Sequence, residues 1–202
     1  MPLLTITPPM PGAERRFQPF VDFVQAQGWD TEFVQIDWSG SQPSFGRRDV
    51  IDQVGPQTIG KIVMGFSLGA LYSHLGALES KHLILGSISP FFAEDDDEPM
   101  RWDISYREGN AAIPADVLVG GTEDEQMHRR AESVRDFYEQ STYTVVPQAE
   151  HELWHPNYLA AIGKALDRLP EINPGDGSSG PFANTVFDAN DDTGPASGFF
   201  ES

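Results

Sequence analysis

The chain has 202 residues, enough for one domain with a sizeable core, and its 39% hydrophobic content with four Trp and thirteen Phe is that of a globular protein. Its 31 acidic and 13 basic residues give a net charge of −18, a surface that repels nucleic acid and anionic membranes. With no cysteine, disulfides, thiolate metal sites and cysteine nucleophiles are excluded. Arginine outnumbers lysine, a composition consistent with a salty habitat.

Leu3 to Thr7 reads as a buried strand, with no basic leader before it, and Pro8-Pro9-Met10-Pro11-Gly12 breaks it. Arg16 to Gln27 carries Phe17, Phe20, Val21, Phe23 and Val24 as a helical stripe closed by Gly28. Glu32 to Asp37 alternates as a second strand, and 38–48 is a loop. Val50, Ile51 and Val54 predict a short helix ended by Gly55-Pro56. A strand ending at Met64 runs into Gly65-Phe66-Ser67-Leu68-Gly69, followed by a helix from Leu68 to about Glu79. His82 to Ile88 is the next strand, 89–113 is loop-like, and Asp116 to Gly120 is another strand. A helix over Glu125–Gln140, a strand over Thr142–Val146 and a helix over Pro156–Leu169 complete the pattern. Strands alternating with helices at this spacing predict an α/β fold, a three-layer α/β/α sandwich around a doubly wound, mainly parallel sheet of about six strands.

The chain changes character near residue 170. Residues 171–202 contain no Lys or Arg, six acidic residues and repeated Gly, Ser, Pro and Asn. This predicts a catalytic domain over 1–170 and a flexible acidic tail, whose Phe182, Val186, Phe187, Phe199 and Phe200 suit docking on the domain or on a protein partner. No apolar run approaches the ~20 residues of a membrane span. The expectation is a soluble, cytoplasmic protein.

G-x-S-x-G between a strand and a helix is the nucleophile elbow, in which a tight turn pushes the serine hydroxyl out of the sheet. Strand and helix pass so closely that the flanking positions, Gly65 and Gly69, must be glycine. A serine hydroxyl is a poor nucleophile at neutral pH and needs a base held by a carboxylate. In such a sheet the order is nucleophile, acid, histidine, each after a strand. Asp124 is the expected acid, with Glu123 one residue away as competitor, and His151 the expected base. Asp116 stands at the wrong end of its strand. His74, His82 and His128 read as surface or core residues.

His151-Glu152-Leu153-Trp154-His155 spells H-E-x-x-H, but Pro156 cannot continue a helix holding both histidines and fits better as a first helical residue, so no metal is expected. Asp188, Asn190 and Asp192 alternate like a calcium loop, yet Thr193 replaces its glycine and Phe199 its final glutamate. No phosphate-binding loop is present, and no cofactor is implied. Two N–H donors are needed for an oxyanion: Leu68, after the serine, and Met10, whose neighbours Pro8, Pro9 and Pro11 have none. Phe66, Phe91, Phe92, Trp102, Tyr106 and Trp154 are candidate walls of a substrate pocket.

With GFSLGA at the elbow, Gly121 to Asp124 as G-x-x-D and His151 before the last helix, the chain resembles the α/β-hydrolase superfamily over about residues 3–169. Thr7 to Gly12 is similar to the family's oxyanion loop, with two prolines in place of its His-Gly pair. The resemblance implies a six-stranded core lacking the family's first two strands, and residues 89–113 are too short for a cap domain. It implies a small, nearly lidless esterase or thioesterase that forms an acyl-serine on a small-molecule ester or thioester. The competing reading is a non-catalytic binding or assembly protein on the same scaffold, with the acidic aromatic tail as its working part.

Overall fold

The computed structural model describes residues 1–38, 47–89 and 106–169. Six strands form one parallel sheet: β1 (Leu3–Thr7), β2 (Asp30–Phe33), β3 (Ile62–Phe66), β4 (His82–Gly86), β5 (Ala115–Gly120) and β6 (Ser141–Val146). Their order across the sheet is β2-β1-β3-β4-β5-β6. The helices are α1 (Ala13–Arg16), α2 (Gln18–Ala26), α3 (Arg47–Thr58), α4 (Leu68–Gly76), α5 (Glu125–Phe137) and α6 (Pro156–Leu166), with a 3₁₀ turn at Tyr106–Glu108.

The period-two alternation of the central strands divides the core. Val63, Leu83, Leu85, Val117 and Val119 face α3, α4 and α5 through Ile51, Val54, Leu71, Leu75, Ala131 and Val134. Ile62, Met64, Ile84 and Leu118 face the other way, against Phe20 and Val24 of α2 and Tyr158, Ile162 and Leu166 of α6. Both faces are thus covered, the arrangement that the alternating sequence predicts. From β1 the chain moves outward to β2, then crosses back to β3 on β1's other side. Such a switch point leaves a crevice beyond the carboxyl ends of the strands, where ligands bind in open α/β sheets. Ser67 begins the turn out of β3 at that crevice.

Several element bounds differ from the sequence reading. The second strand is Asp30–Phe33, not 32–37. α3 begins at Arg47 and runs through Gly55 and Pro56 to Thr58 instead of ending there. Pro56 lies in the last turn, where its missing N–H costs one helical bond, and Thr58 Oγ1 caps the Val54 and Gly55 carbonyls at 3.1 and 3.0 Å. Gly55 serves close packing: a Cβ there would meet the Gly76 carbonyl of α4 at 3.1 Å. α4 stops at Gly76, three residues before Glu79. Residues 90–105 and 170–202 lie outside the described residues, and with them the tail and the boundary drawn at 170. Among the described residues no helix is long and apolar enough to cross a membrane.

At the amino ends of the strands Asp116 is 3% exposed. Its carboxylate meets His82 Nε2 at 2.9 Å and Arg168 at 2.6 Å and accepts from Thr142 Oγ1, tying β4, β5, β6 and the end of α6 together. Burial alone would raise its pKa, but the hydrogen bonds of His82 and Thr142 and the nearby positive charges outweigh it and hold it below the ordinary 3.8. A carboxyl depressed on folding contributes stability above its unfolded pKa and loses it as pH falls through the folded one. Asp116→Ala should cost about 3 kcal/mol, near the lower figure for breaking a buried pair because the Arg168 head is half in water, and lower the thermal midpoint by about 10 °C near pH 7. The gap between the two melting curves should narrow below about pH 4. Paired melts at pH 7 and pH 3 check both expectations.

Candidate active site

Ser67 has φ 56° and ψ −124°, a conformation strained for any residue with a side chain. The strain is held from every side. Ser67 N donates to the Gly86 carbonyl at 2.9 Å, while Ser67 O accepts from Ala70 N at 3.1 Å and Ser89 N at 3.1 Å. A Cβ on Gly65 would lie 2.2 Å from the Gly69 carbonyl, and one on Gly69 would lie 2.3 Å from the Thr7 carbonyl. The helix following the serine is therefore pressed against both its own strand and the end of β1. The Ser73 hydroxyl secures that contact, 2.8 Å from Thr7 Oγ1 and 2.9 Å from the Gly69 carbonyl. Leu68 is the first residue of α4, so its N–H has no intrahelical partner.

Glu123 and His151 sit on loops after β5 and β6, and backbone bonds hold those loops together. Gly121 N reaches the Val146 carbonyl at 2.7 Å, and Thr122 N and Oγ1 reach the Ala149 carbonyl at 3.1 and 2.8 Å. Asn157 of α6 donates its amide to the Pro147 carbonyl at 2.7 Å, fixing the base of the second loop. His151 Nδ1 then lies 2.6 Å from Glu123 Oε1. Glu123 is buried, its side chain 3% exposed, whereas that of His151 is 44% exposed. The other carboxylate oxygen accepts from Gly120 N at 2.6 Å and Ser87 Oγ at 2.8 Å. Burial alone would raise the Glu123 pKa, but the hydrogen bonds from His151, Ser87 and Gly120 outweigh it and hold the carboxyl below its ordinary value. Because an ionised carboxylate only accepts, Nδ1 carries the proton, and Nε2, facing away from Glu123, is the basic nitrogen.

Asp124, the acid expected from the sequence, is turned the other way. It is the N-cap of α5, with Oδ1 accepting from Met127 N at 2.9 Å. The physical reason is the helix start: an Asp at the N-cap satisfies an orphan N–H, and that geometry aims its side chain down the helix. The preceding residue is left free to face β6. His155 likewise caps α6, accepting from Asn157 N at 3.3 Å, with Pro156 as the first helical residue. The H-E-x-x-H residues therefore share no helix. Among the described residues no group of three or more His, Asp or Glu is placed to hold a metal ion.

Phe66 is 6% exposed, and its ring packs 4.9 Å from the His151 ring and edge-on to Tyr158 at 5.4 Å. It backs the imidazole: the residue before the elbow serine still belongs to β3, and this pocket-wall candidate is buried beside the His151 ring. Trp154 is 46% exposed and donates Nε1 to Glu152, and Met10 is 41% exposed. Phe91, Phe92 and Trp102 lie outside the described residues, and Tyr106 opens the 3₁₀ turn. A groove of about 300 Å³ between α6 and the sheet is lined by Asp116, Thr144, Asn157 and Lys164 among others, and contains none of Ser67, Glu123 or His151.

Sequence reasoning missed Ser87 and Tyr158. Ser87 was read as an interior strand residue, but β4 ends at Gly86. In a parallel sheet every first residue past a strand reaches the same rim, so a hydroxyl there was the available signal.

No family model matches the sequence, and no curated protein does. Solved structures do match in three dimensions. Est1E from Butyrivibrio proteoclasticus superposes with a TM-score of 0.59 at 14% identity, over 83% of this chain and 86% of that one. Alpha/beta hydrolase domain-containing protein 10 from mouse gives 0.58 at 14% identity, over 83% and 88%. The monoacylglycerol lipase of Paleococcus ferrophilus gives 0.55 at 12% identity, over 82% and 92%. The chain therefore has the α/β-hydrolase fold, in a form with six parallel strands.

Gly69→Ala should force α4 away from β1, since backbone, not a flexible side chain, occupies the space. A cost of about 2–3 kcal/mol and a midpoint lower by about 5–10 °C are expected, read from thermal melts against the wild type.

Proposed function

We propose that the protein is a serine hydrolase that cleaves a carboxylic ester or thioester through an acyl-serine intermediate. The observation that carries this reading is the 2.6 Å contact between His151 Nδ1 and the buried Glu123 carboxylate, at the same rim of the sheet as the strained Ser67. In this reading His151 Nε2 takes the Ser67 proton as Oγ attacks the carbonyl carbon. Glu123, not Asp124, holds the imidazole and stabilises the imidazolium that forms. Leu68 N–H, with Met10 N–H as the second donor, receives the charge on the carbonyl oxygen. Collapse of the tetrahedral intermediate expels the alcohol or thiol, which takes its proton from His151. The imidazole then activates water, and the acid is released. No step calls on a metal or cofactor.

The structural neighbours support the class of reaction, a monoacylglycerol lipase and a dienelactone hydrolase being among them. One neighbour is a thioesterase domain. The small-molecule acyl substrate itself stays defined only by its bond, since fold alone does not set the leaving group.

A fluorophosphonate probe should label Ser67, and Ser67→Ala should fold but take no label. Glu123→Gln should lower the hydrolysis of p-nitrophenyl esters by about 10²–10⁴-fold, whereas Asp124→Asn, which keeps a capping side chain, should stay within about twofold of wild type. An unlabelled Ser67 under conditions that label a control esterase would favour the non-catalytic binding protein. A large loss in Asp124→Asn with Glu123→Gln near wild type would return the acid to Asp124.

We place residues 171–202 outside the catalytic unit. Their deletion should leave Ser67 labelling and small-ester hydrolysis unchanged, and a chain that loses its label on truncation would show that the tail completes the site.

A further inference from the structure

Ser87 is fully buried and has φ 40°, in the left-handed region that glycine occupies without strain. Its side chain accounts for a non-glycine residue there. Ser87 Oγ lies 2.8 Å from Glu123 Oε2 and 2.9 Å from the Tyr158 hydroxyl. A hydroxyl has one proton, and an ionised carboxylate cannot supply one, so Ser87 donates to Glu123 and accepts from Tyr158. Tyr158 is itself fully buried, held by α6, and its one proton is shared between Ser87 Oγ, the nearer acceptor, and the Leu118 carbonyl at 3.2 Å. Burial pushes its pKa up, so it remains a donor. The result is a directed row, Tyr158 to Ser87 to Glu123, meeting His151 from the other side.

A glutamate needs such a row more than an aspartate would. It has one more rotatable bond, and a carboxylate free to turn would offer His151 a poorly aligned oxygen. Gly120 N and Ser87 Oγ grip the oxygen that His151 does not use, which fixes the plane of the group. We propose that Ser87, supported by Tyr158, is a positioning residue that aligns the Glu123 carboxylate behind His151 and shares its charge. The proposal rests on the serine-hydrolase reading of Ser67 and His151.

Its signature is in the pH dependence. Removing the Ser87 hydroxyl leaves the charge on Glu123 with one donor fewer, so it attracts the imidazolium proton more strongly. The acid limb of Ser67 labelling then moves up in pH. Glu123→Gln removes the charge altogether, and the limb moves down. The groups facing this pair are Tyr158 from α6, Ser87 after β4, the Gly120 N–H of β5 and the Phe66 ring of β3. Of the neighbouring acids, Asp124 caps α5 and Glu152 accepts from Trp154. Glu150 is exposed on the histidine's own loop.

The test is the rate of Ser67 labelling by a fluorophosphonate across pH 5–9 in the full chain. Wild type, Ser87→Ala, Ser87→Gly, Tyr158→Phe and Glu123→Gln are compared, with melts of each. Both Ser87 variants should lose about 5–20-fold at the plateau and shift the acid limb upward by about half a pH unit. Tyr158→Phe should shift it less and in the same direction, and Glu123→Gln should shift it downward. Ser87→Gly relieves the backbone strain and provides a folded variant if alanine fails. Ser87 profiles that superimpose on wild type, or that shift with Glu123→Gln, would overturn the positioning role while labelling at Ser67 still supports the hydrolase. A wild type that takes no label would overturn both.

Discussion

The contact on which the rest of the structure depends is the approach of α4 to β1 and β3 at Gly69 and Gly65. With a carbonyl oxygen only 2.3 Å from where a Gly69 Cβ would stand, the helix sits as close to the sheet as backbone permits. That closeness turns the chain sharply at Ser67, raises the serine above the rim and points the first turn of α4 at the same space. It also brings the Thr7 carbonyl, and so the Pro8–Pro11 loop, against the start of the helix. Ser67, the first N–H of α4 and the end of β1 are thus brought together by one packing constraint. The core supplies the force, since Leu71 and Leu75 of α4 are buried against Val63, Leu83 and Leu85.

The sheet carries two acid–imidazole pairs, one at each end of its strands. Asp116 and His82 lie at the amino ends, with the His82 side chain 10% exposed and both groups enclosed by β4, β5, β6 and α6. Glu123 and His151 lie at the carboxyl ends, with the imidazole 44% exposed. Both pairs join an imidazole to a carboxylate; access to solvent separates the enclosed tie at His82 from the open imidazole at His151. In both pairs the carboxylate is buried and satisfied by several donors, which is what permits a charge in the interior.

The fold was legible in the sequence because its signals are periodic and local. Alternating apolar runs gave the strands, and Gly65, Ser67 and Gly69 located the turn on which they converge. Boundaries were lost where tertiary packing outweighs local punctuation, as at Gly55-Pro56, which reads as a stop but is carried inside α3 by its packing on α4. The carboxylate that meets His151 differs from the expected one by a single residue. Sequence order cannot tell a carboxylate that caps a helix from the one before it that faces the next strand; in the folded chain Asp124 accepts from Met127 N, and Glu123 is the one beside His151. Ser87 and Tyr158, 71 residues apart, meet only in the folded chain.

The central claim is that His151 shares its Nδ1 proton with Glu123, and low-field proton NMR reads that proton directly. In the wild type a His151 resonance well downfield of the amide region is expected, told apart from that of the buried His82–Asp116 pair by its loss in His151→Ala and sharpened when Ser67 carries a phosphonyl group. It should persist in Asp124→Asn and vanish in Glu123→Gln. A resonance that survives Glu123→Gln and disappears in Asp124→Asn would contradict the assignment.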